Sequence, residues 1–268
     1  MYMDCPLISI ITISYNTVNT IEETILSVTN QTYSNIEYII IDGGSTDGTI
    51  DIIKKYADKI SYWISEPDKG IYDAMNKGLL VSKGEWVNFM NAGDSFKNLN
   101  VITDIFYNKI IKAQIIYGDT EIKDPYLSYI SHPRPIENIV NAMPFMHQSI
   151  FVYGDLHRKN LFDIKFRSSG DYNFFMSMYE QNVKFEYQPI VIAKFDATTG
   201  MSTDNYITVH MEDAMIKRTH KTIYWYIELY INFLLFKFKR ILKKILSENV
   251  VKNIHYRNLQ SNKFITLS

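Results

Sequence analysis

Short apolar runs recur through the first third of the chain, each stopped by a polar or glycine-bearing step. Leu7 to Ile13 is isoleucine-rich and nearly all apolar, as a strand covered on both faces must be. Ser14-Tyr15-Asn16 ends it. Tyr38 to Ile41 is a second run, cut by Asp42-Gly43-Gly44, and Ile60 to Ile64 a third. Trp86-Val87-Asn88-Phe89-Met90 is a fourth, which stops at Asn91-Ala92-Gly93-Asp94. Between the runs, apolar positions return at helical spacing: Ile21, Ile25 and Val28; Ile50, Ile53 and Ala57; Ile71, Met75 and Leu79. Thr20 followed by Glu23 predicts a capping box, and Ser45 or Thr46 is placed to cap the second helix. Glu66-Pro67-Asp68-Lys69-Gly70 is a loop by composition.

Strand and helix therefore alternate with short connections over the first ~95 residues, the pattern of a doubly wound parallel sheet. In such sheets ligands collect outside the carboxyl ends of the strands. Asp42, Asp68 and Asp94 each follow a strand, so they share that edge. A carboxylate beside a glycine that admits close backbone approach suits a divalent cation carrying a diphosphate. The other reading of Gly93-Asp94 is a type I turn.

The second half is less regular. Asn100 to Lys112 predicts a helix, and Ile115-Ile116-Tyr117 a strand ending at Gly118-Asp119. Ser149 to Val152 and Phe185 to Phe195 read as strands. Ser168-Ser169-Gly170-Asp171 leads into a helix over Tyr172 to Tyr179, with Phe174, Phe175 and Met178 inward. Residues 223–246 change character again. Ile227, Ile231, Leu234, Phe238, Ile241 and Ile245 recur at three and four, and Lys237, Lys239, Arg240, Lys243 and Lys244 crowd the later half behind Tyr224, Trp225, Tyr226 and Tyr230. This is a basic amphipathic helix suited to an anionic membrane surface, or else to packing on the domain or a second subunit. The last twenty residues are polar and read as mobile.

The 268 residues divide into 1–98, a nucleotide-binding half; 99–220, an acceptor-binding half; and 221–268, the basic tail. At 46% hydrophobic and 21% charged the chain is globular. A net charge of −1 gives no case for nucleic acid as a partner. One cysteine, Cys5, excludes an internal disulfide and a cysteine-rich zinc site. The N-terminus has no basic signal-peptide region, and no run of 18 apolar residues occurs, so a peripheral, cytoplasmic location at the inner face of the cytoplasmic membrane is expected.

Several blocks, taken in order, resemble a known family. They are Leu7 to Thr12 with Tyr15-Asn16, Asp42-Gly43-Gly44-Ser45-Thr46-Asp47-Gly48-Thr49, Glu66 to Gly78, and Asn91-Ala92-Gly93-Asp94. Ordered blocks at suitable spacing are far more specific than any one of them. They look like family-2 glycosyltransferases of the GT-A fold. His147-Gln148-Ser149 and Gly170-Asp171-Tyr172 resemble later blocks of the subgroup that builds bacterial surface polysaccharides, of O-antigen or colanic-acid type. The resemblance covers roughly residues 6 to 205. It implies an α/β, Rossmann-like, mainly parallel sheet with helices on both faces, to which the C-terminal amphipathic helix is appended.

It also implies roles. Asp42 would accept the uracil imide hydrogen of a UDP-sugar, with Thr12 and Tyr15 flanking the nucleoside. Asp68 and Asn76 would lie near ribose or sugar, and Asn91, Ala92 and Gly93 along the sugar nucleotide. Asp94 would hold Mn²⁺ or Mg²⁺, although Asn91 stands where the family's first acid often is and offers only a neutral oxygen. Asp171 would be the base of an inverting transfer giving a β-linkage, and His147 and Asp119 weaker acceptor contacts. Structural readings stand beside each: an Asx-turn or helix cap for Asp42, a turn acid for Asp68, a helix-surface amide for Asn76, a helix-dipole partner for Asp171, a satisfied core histidine for His147, a solvated strand-end acid for Asp119. The implied acceptor is a glycan, on a lipid diphosphate given the basic helix. A nucleotidyltransferase is the rival enzyme, but it needs a glycine-rich basic loop where this chain has Ser14-Tyr15-Asn16. A catalytically inactive sugar-nucleotide or membrane-binding module is the rival outside enzymes.

Overall fold

The computed structural model describes residues 5–197, 206–219 and 222–267. The N-terminal segment 1–4, the stretches 198–205 and 220–221 inside the expected acceptor and tail regions, and the side chains of Arg240, Lys243 and Lys244 lie outside the described residues. Four strands from the first third, β1 (Ile8–Ser14), β2 (Ile36–Asp42), β3 (Tyr62–Ser65) and β4 (Trp86–Phe89), run parallel in the order β3-β2-β1-β4. Helices α1 (Ile21–Thr29), α2 (Thr49–Lys55) and α3 (Ile71–Val81) connect them. Every residue of β1 is buried. Ile8 and Ile10 pack with Ile21 and Ile25 of α1, while Ile11 and Ile13 pack with Met75 and Leu79 of α3. Alternate side chains thus enter different layers, which explains why the run reads as continuously apolar.

The second half extends the sheet. Its elements are β5 (Ser95–Phe96), α4 (Val101–Phe106), β6 (Ile115–Lys123), β7 (Ser128–Ser131), β8 (Ile150–Tyr153), α5 (Gly154–Lys159), α6 (Gly170–Glu180), β9 (Phe185–Asp196), α7 (Tyr206–Ile216), α8 (Ile223–Ile245), α9 (Glu248–Gln260) and β10 (Ile265–Leu267). The path is β10-β7-β6-β8-β4-β1-β2-β3, with β9 pairing β5 and β6. The sheet is parallel in the first half as expected. In the second half only β6 with β9 is parallel, so the whole is mixed. β8 runs antiparallel to β4. It therefore begins at the edge where β4 ends, and residues 147–149 stand beside 90–94.

Some local expectations are corrected. Thr20 precedes α1 but makes no capping bond; its hydroxyl donates to the Thr17 carbonyl at 3.4 Å. Gly48, not Ser45 or Thr46, precedes α2, because Ser45 is tied to Asp42 and the Thr46 amide to Asn16. Ala57 is exposed, in a short 3₁₀ turn. The helix expected over 100–112 stops at Phe106, and Asn108 takes a left-handed φ of 55°. β6 does not end at Gly118-Asp119: its register shifts there and the strand continues to Lys123. Gly118 is needed at the shift, since a Cβ would lie 2.6 Å from the Ile190 carbonyl oxygen. The polar terminus folds back. β10 pairs β7, His255 contacts Asp124, and Val251 and Leu259 are buried.

Close packing of α3 on β1 gives a test. A Cβ at Gly78 would lie 2.5 Å from Ile11 Cγ2, in full burial. Alanine normally gains about 1 kcal/mol over glycine inside a helix, but overpacking costs ~1–3 kcal/mol. Gly78→Ala is expected to lower stability in urea unfolding, and to raise it in an Ile11→Ala background. A gain in the wild-type background would show that the layer yields.

Candidate active site

Asp42 ends β2, pairing with Ser14 of β1 and Ser65 of β3. Its carboxylate is fully buried and accepts from the hydroxyls of Ser14 (2.9 Å), Ser45 (2.5 Å) and Ser65 (2.6 Å) and from the amides of Gly44 (3.1 Å) and Ser45 (2.8 Å). Burial pushes its pKa up, but the bonds from Ser45, Ser65 and Ser14 outweigh it and hold the carboxyl below its ordinary value. The acid thus shapes the Gly43–Ser45 loop. Its oxygens are engaged internally, so the imide contact expected of it is not available without displacing one of these donors. Above it, the space over Gly43 is shared by Asp68 Oδ2, 2.6 Å from where a Cβ would stand, and the Tyr15 ring at 3.3 Å. Tyr15 is 63% exposed, so its face is open to a ligand. Asp68 uses Oδ1 to accept the Gly70 amide at 2.8 Å, leaving Oδ2 toward this edge.

The loop after β4 is fastened from beneath. Ala92 N bonds the Ile13 carbonyl at 3.0 Å, extending the β1 pairing. Gly93, at φ +104°, donates its amide to Thr24 Oγ1 (3.0 Å), and that hydroxyl donates to the Asp94 carbonyl (2.7 Å). The Asp94 side chain is buried, hydrogen-bonded by Gln148 and near Asp196. β5 pairs antiparallel with β9, which brings Asp196 close. Burial chiefly, and the Asp196 charge, push the Asp94 carboxyl up to about 7 against the Gln148 bond. Two neighbouring amide oxygens, Asn91 Oδ1 and Gln148 Oε1, are buried without partners.

Among the described residues no three acid, histidine or cysteine side chains gather to hold a metal. The donors here are one undercompensated carboxyl and two orphaned amide oxygens. This suits a hard cation that takes its remaining ligands from water and a diphosphate, so Mg²⁺ or Mn²⁺ fits.

Asn91 Nδ2 lies 3.1 Å from His147 Nε2. With the amide donating, the ring proton sits on Nδ1, which faces Asp171 Oδ2 at 3.7 Å. Burial holds His147 below its ordinary pKa, against the pull of Asp171, so the ring is neutral near pH 7. Asp171, in the first turn of α6, accepts from Tyr72 Oη (3.0 Å) and from the Tyr172 amide (2.9 Å) on Oδ1. Oδ2, on the His147 side, takes part in neither of these bonds. Tyr72 reaches it because Gly170 has no side chain: a Cβ there would lie 2.8 Å from the ring.

Three expected contacts are corrected. The Thr12 hydroxyl is buried inside the sheet, donating to the Met90 carbonyl (2.7 Å) beside Tyr38 Oη (3.1 Å). Asn76 clamps Phe162, its Nδ2 donating to the carbonyl and its Oδ1 accepting the amide, both at 2.9 Å, so neither group faces a sugar. Asp119 is buried within β6, accepting from Tyr187 Oη (2.8 Å) and contacting His132 Nδ1 (3.0 Å); it is neither solvated nor at a strand end. Tyr72 and Gln148, unassigned from sequence, lie inside blocks already singled out. Ser14 and Ser65 needed the strand register, and Glu212, discussed below, carries no local signature.

The chain resembles known proteins in sequence and in fold. Residues 9–102 match glycosyl transferase family 2. A PGL/p-HBAD biosynthesis glycosyltransferase of Mycobacterium tuberculosis is 25% identical over 212 residues, 75% of this chain and 80% of that protein. An uncharacterized glycosyltransferase of Rickettsia bellii is 29% identical over 225 residues, 78% of this chain and 32% of that protein. The fold resembles S. aureus TarS 1–349 in complex with UDP-GlcNAc (TM-score 0.60, 18% identity, 81% of this chain and 68% of that one). It also resembles the mannosyltransferase PcManGT of Pyrobaculum calidifontis in complex with GDP-Man and Mn²⁺ (TM-score 0.63, 17% identity, 82% and 66%). The fold is of the GT-A type, and the match of residues 9–102 to glycosyl transferase family 2, with glycosyltransferases among the relatives, supports a transferase enzyme.

The two buried acids should respond oppositely to pH. Asp42, with its pKa lowered by folding, adds stability at neutral pH that is lost as pH falls through its folded value. Asp94, raised to about 7, makes the metal-free protein lose stability as pH climbs from the unfolded value toward 7. At pH 8 without metal, Asp42→Asn is expected to lower the melting temperature and Asp94→Asn to raise it. The Asp94 difference should vanish as pH falls from 7 toward 4, whereas the Asp42 difference should persist there and narrow only in stronger acid. Shifts of the same sign would contradict the assigned environments.

Proposed function

We propose that the chain moves a hexose or N-acetylhexosamine from a UDP-sugar, with inversion, to a glycan acceptor on a lipid diphosphate, during assembly of a bacterial surface polysaccharide. The observation that carries this reading is the chain of contacts Asn91–His147–Asp171–Tyr72 beside Asp94. In this reading Asp171 Oδ2 is the base and Asp94 the acid that holds the cation, linked through Asn91 and His147. TarS in complex with UDP-GlcNAc supports a sugar-nucleotide donor.

In this reading Tyr15, Gly43 and Asp68 receive the nucleoside end, and Asn91, Asp94 and Gln148 hold the cation. When bound, Mg²⁺ or Mn²⁺ supplies charge neutralisation for the leaving diphosphate. Asp171 Oδ2 takes the acceptor hydroxyl proton as that oxygen bonds the anomeric carbon from the face opposite UDP. The bond from that carbon to the phosphate oxygen breaks, and UDP departs. An α-linked donor then gives a β-linked product. His147 and the Tyr72 phenol keep Asp171 aimed.

The acceptor assignment draws on α8. Trp225, Phe233 and Phe236 are half-buried, and Phe233 and Phe236 pack on Tyr206 of α7. Ile223, Ile227, Tyr230, Leu234, Phe238, Ile241 and Ile245 form an exposed apolar face. Lys237 and Lys239 are also exposed. None of the described helices is long and apolar enough to cross a membrane. A basic helix with such a face lies in an anionic interface, here that of the cytoplasmic leaflet.

Two outcomes test these readings. Asp171→Asn is expected to bind UDP normally while kcat falls about 10²–10⁴-fold, assayed with a donor panel that includes UDP-GlcNAc and GDP-mannose; near-normal turnover rejects the base. For membrane binding, Ile227→Ser, Leu234→Ser and Phe238→Ser together are expected to abolish sedimentation with phosphatidylglycerol vesicles. Truncation is unsuitable, because β10 belongs to the sheet. Equal partitioning of variant and wild type rejects the interfacial role.

A further inference from the structure

The proton-accepting role of Asp171 depends on where the start of α6 is held, and an acid from another helix holds it. Glu212 of α7 is buried. Its Oε1 accepts from the Arg167 amide (2.7 Å), and its Oε2 from the amides of Ser168 (2.9 Å) and Ser169 (2.8 Å). Successive backbone N–H groups converging on one anion form a nest, occupied here by a side chain of the same protein. Asp213 adds a second tie, accepting from Ser169 Oγ at 2.9 Å. That hydroxyl is thereby drawn away from the end of α6, where it makes no capping bond. The nest runs straight into Gly170 and Asp171. A Cβ on Gly170 would lie only 2.8 Å from the Tyr72 ring, and the same tyrosine bonds Asp171. A loop released from Glu212 would therefore shift Asp171 relative to both Tyr72 and His147.

We propose that Glu212 is a positioning residue for glycosyl transfer: by binding the amides of residues 167–169 it fixes the Asp171 carboxylate against Tyr72 and His147. The proposal rests on Asp171 as the base. It assigns a part in the chemistry to α7, which touches neither the Asp42 edge nor the Asp94 loop in the contacts described above.

The test is steady-state kinetics on the full chain with Glu212→Gln, which keeps the size but turns an amide donor toward the nest. A misplaced base should lower kcat by ~10–100-fold, with the KM for the sugar nucleotide within about threefold. In an Asp171→Asn background the same change should cost less than about twofold, because the two residues act as one unit. Amide exchange at residues 167–170 should quicken while β1 and β2 stay protected. Should Glu212→Gln not fold, Glu212→Asp, which keeps the charge and withdraws it by one methylene, is expected to show the same split.

A folded Glu212 variant with unchanged kcat overturns the proposal. So does a rise in KM that matches the fall in kcat, or a full further loss on top of Asp171→Asn. An active Asp171→Asn brings down the base reading and this proposal with it; an inactive Asp171→Asn beside an active Glu212→Gln brings down this proposal alone.

Discussion

β8 lies antiparallel beside β4, with Trp86 opposite Tyr153 and Val87 opposite Val152. Through that short ladder the second half of the chain reaches the carboxyl edge of the first. Asn88, wholly buried, reinforces it by donating Nδ2 to the carbonyls of Gln148 and Ile150 at 2.9 and 2.8 Å. A parallel strand in the same place would carry its beginning to the far edge. The antiparallel one delivers His147 and Gln148 beside Asn91 and Asp94, so one pair of adjacent residues contacts both Asp171 and Asp94. Gln148 faces the acid that suits a cation, and His147 faces Asp171.

The electrostatics divide along the same line. Asp42 is an anion already satisfied, surrounded by serine hydroxyls and amides that the register of β1, β2 and β3 brings together. Asp94 is an acid left unsatisfied, with neutral amides and another carboxylate as its neighbours. The first kind of burial builds a loop. The second stores a demand for positive charge, the condition expected of a site that waits for a cation and a diphosphate. A stability disadvantage at neutral pH in the empty protein is the corresponding trade-off.

Much of this was legible in the order of residues. The parallel half followed from isoleucine-rich runs alternating with helical periodicity, and the shared edge from acids placed after successive strands. His147 lies against both Asn91 and Asp171, and its neighbour Gln148 bonds Asp94. The roles of individual polar atoms were less legible, because a side chain's partners depend on register and on distant segments. Asn76 looked like a helix-surface amide or a sugar contact and proved to clamp Phe162, 86 positions away. Asp119 looked like the end of a strand because Gly118 mimics a stop, while a register shift lets the strand continue. The terminus looked mobile because only scattered apolar positions, Val251 and Leu259 among them, anchor it. Glu212 was invisible, since its partners are backbone amides, which have no sequence.

The central claim is that Asp94 and its amide neighbours form the cation end of a sugar-nucleotide cleft. Calorimetric titration of UDP into the wild type and Asp94→Asn, with Mn²⁺ and with chelator, tests it most directly. The account predicts that Mn²⁺ tightens UDP binding to the wild type by at least about tenfold and leaves the variant's affinity unchanged. Equal metal dependence in both proteins, or none in the wild type, would contradict it.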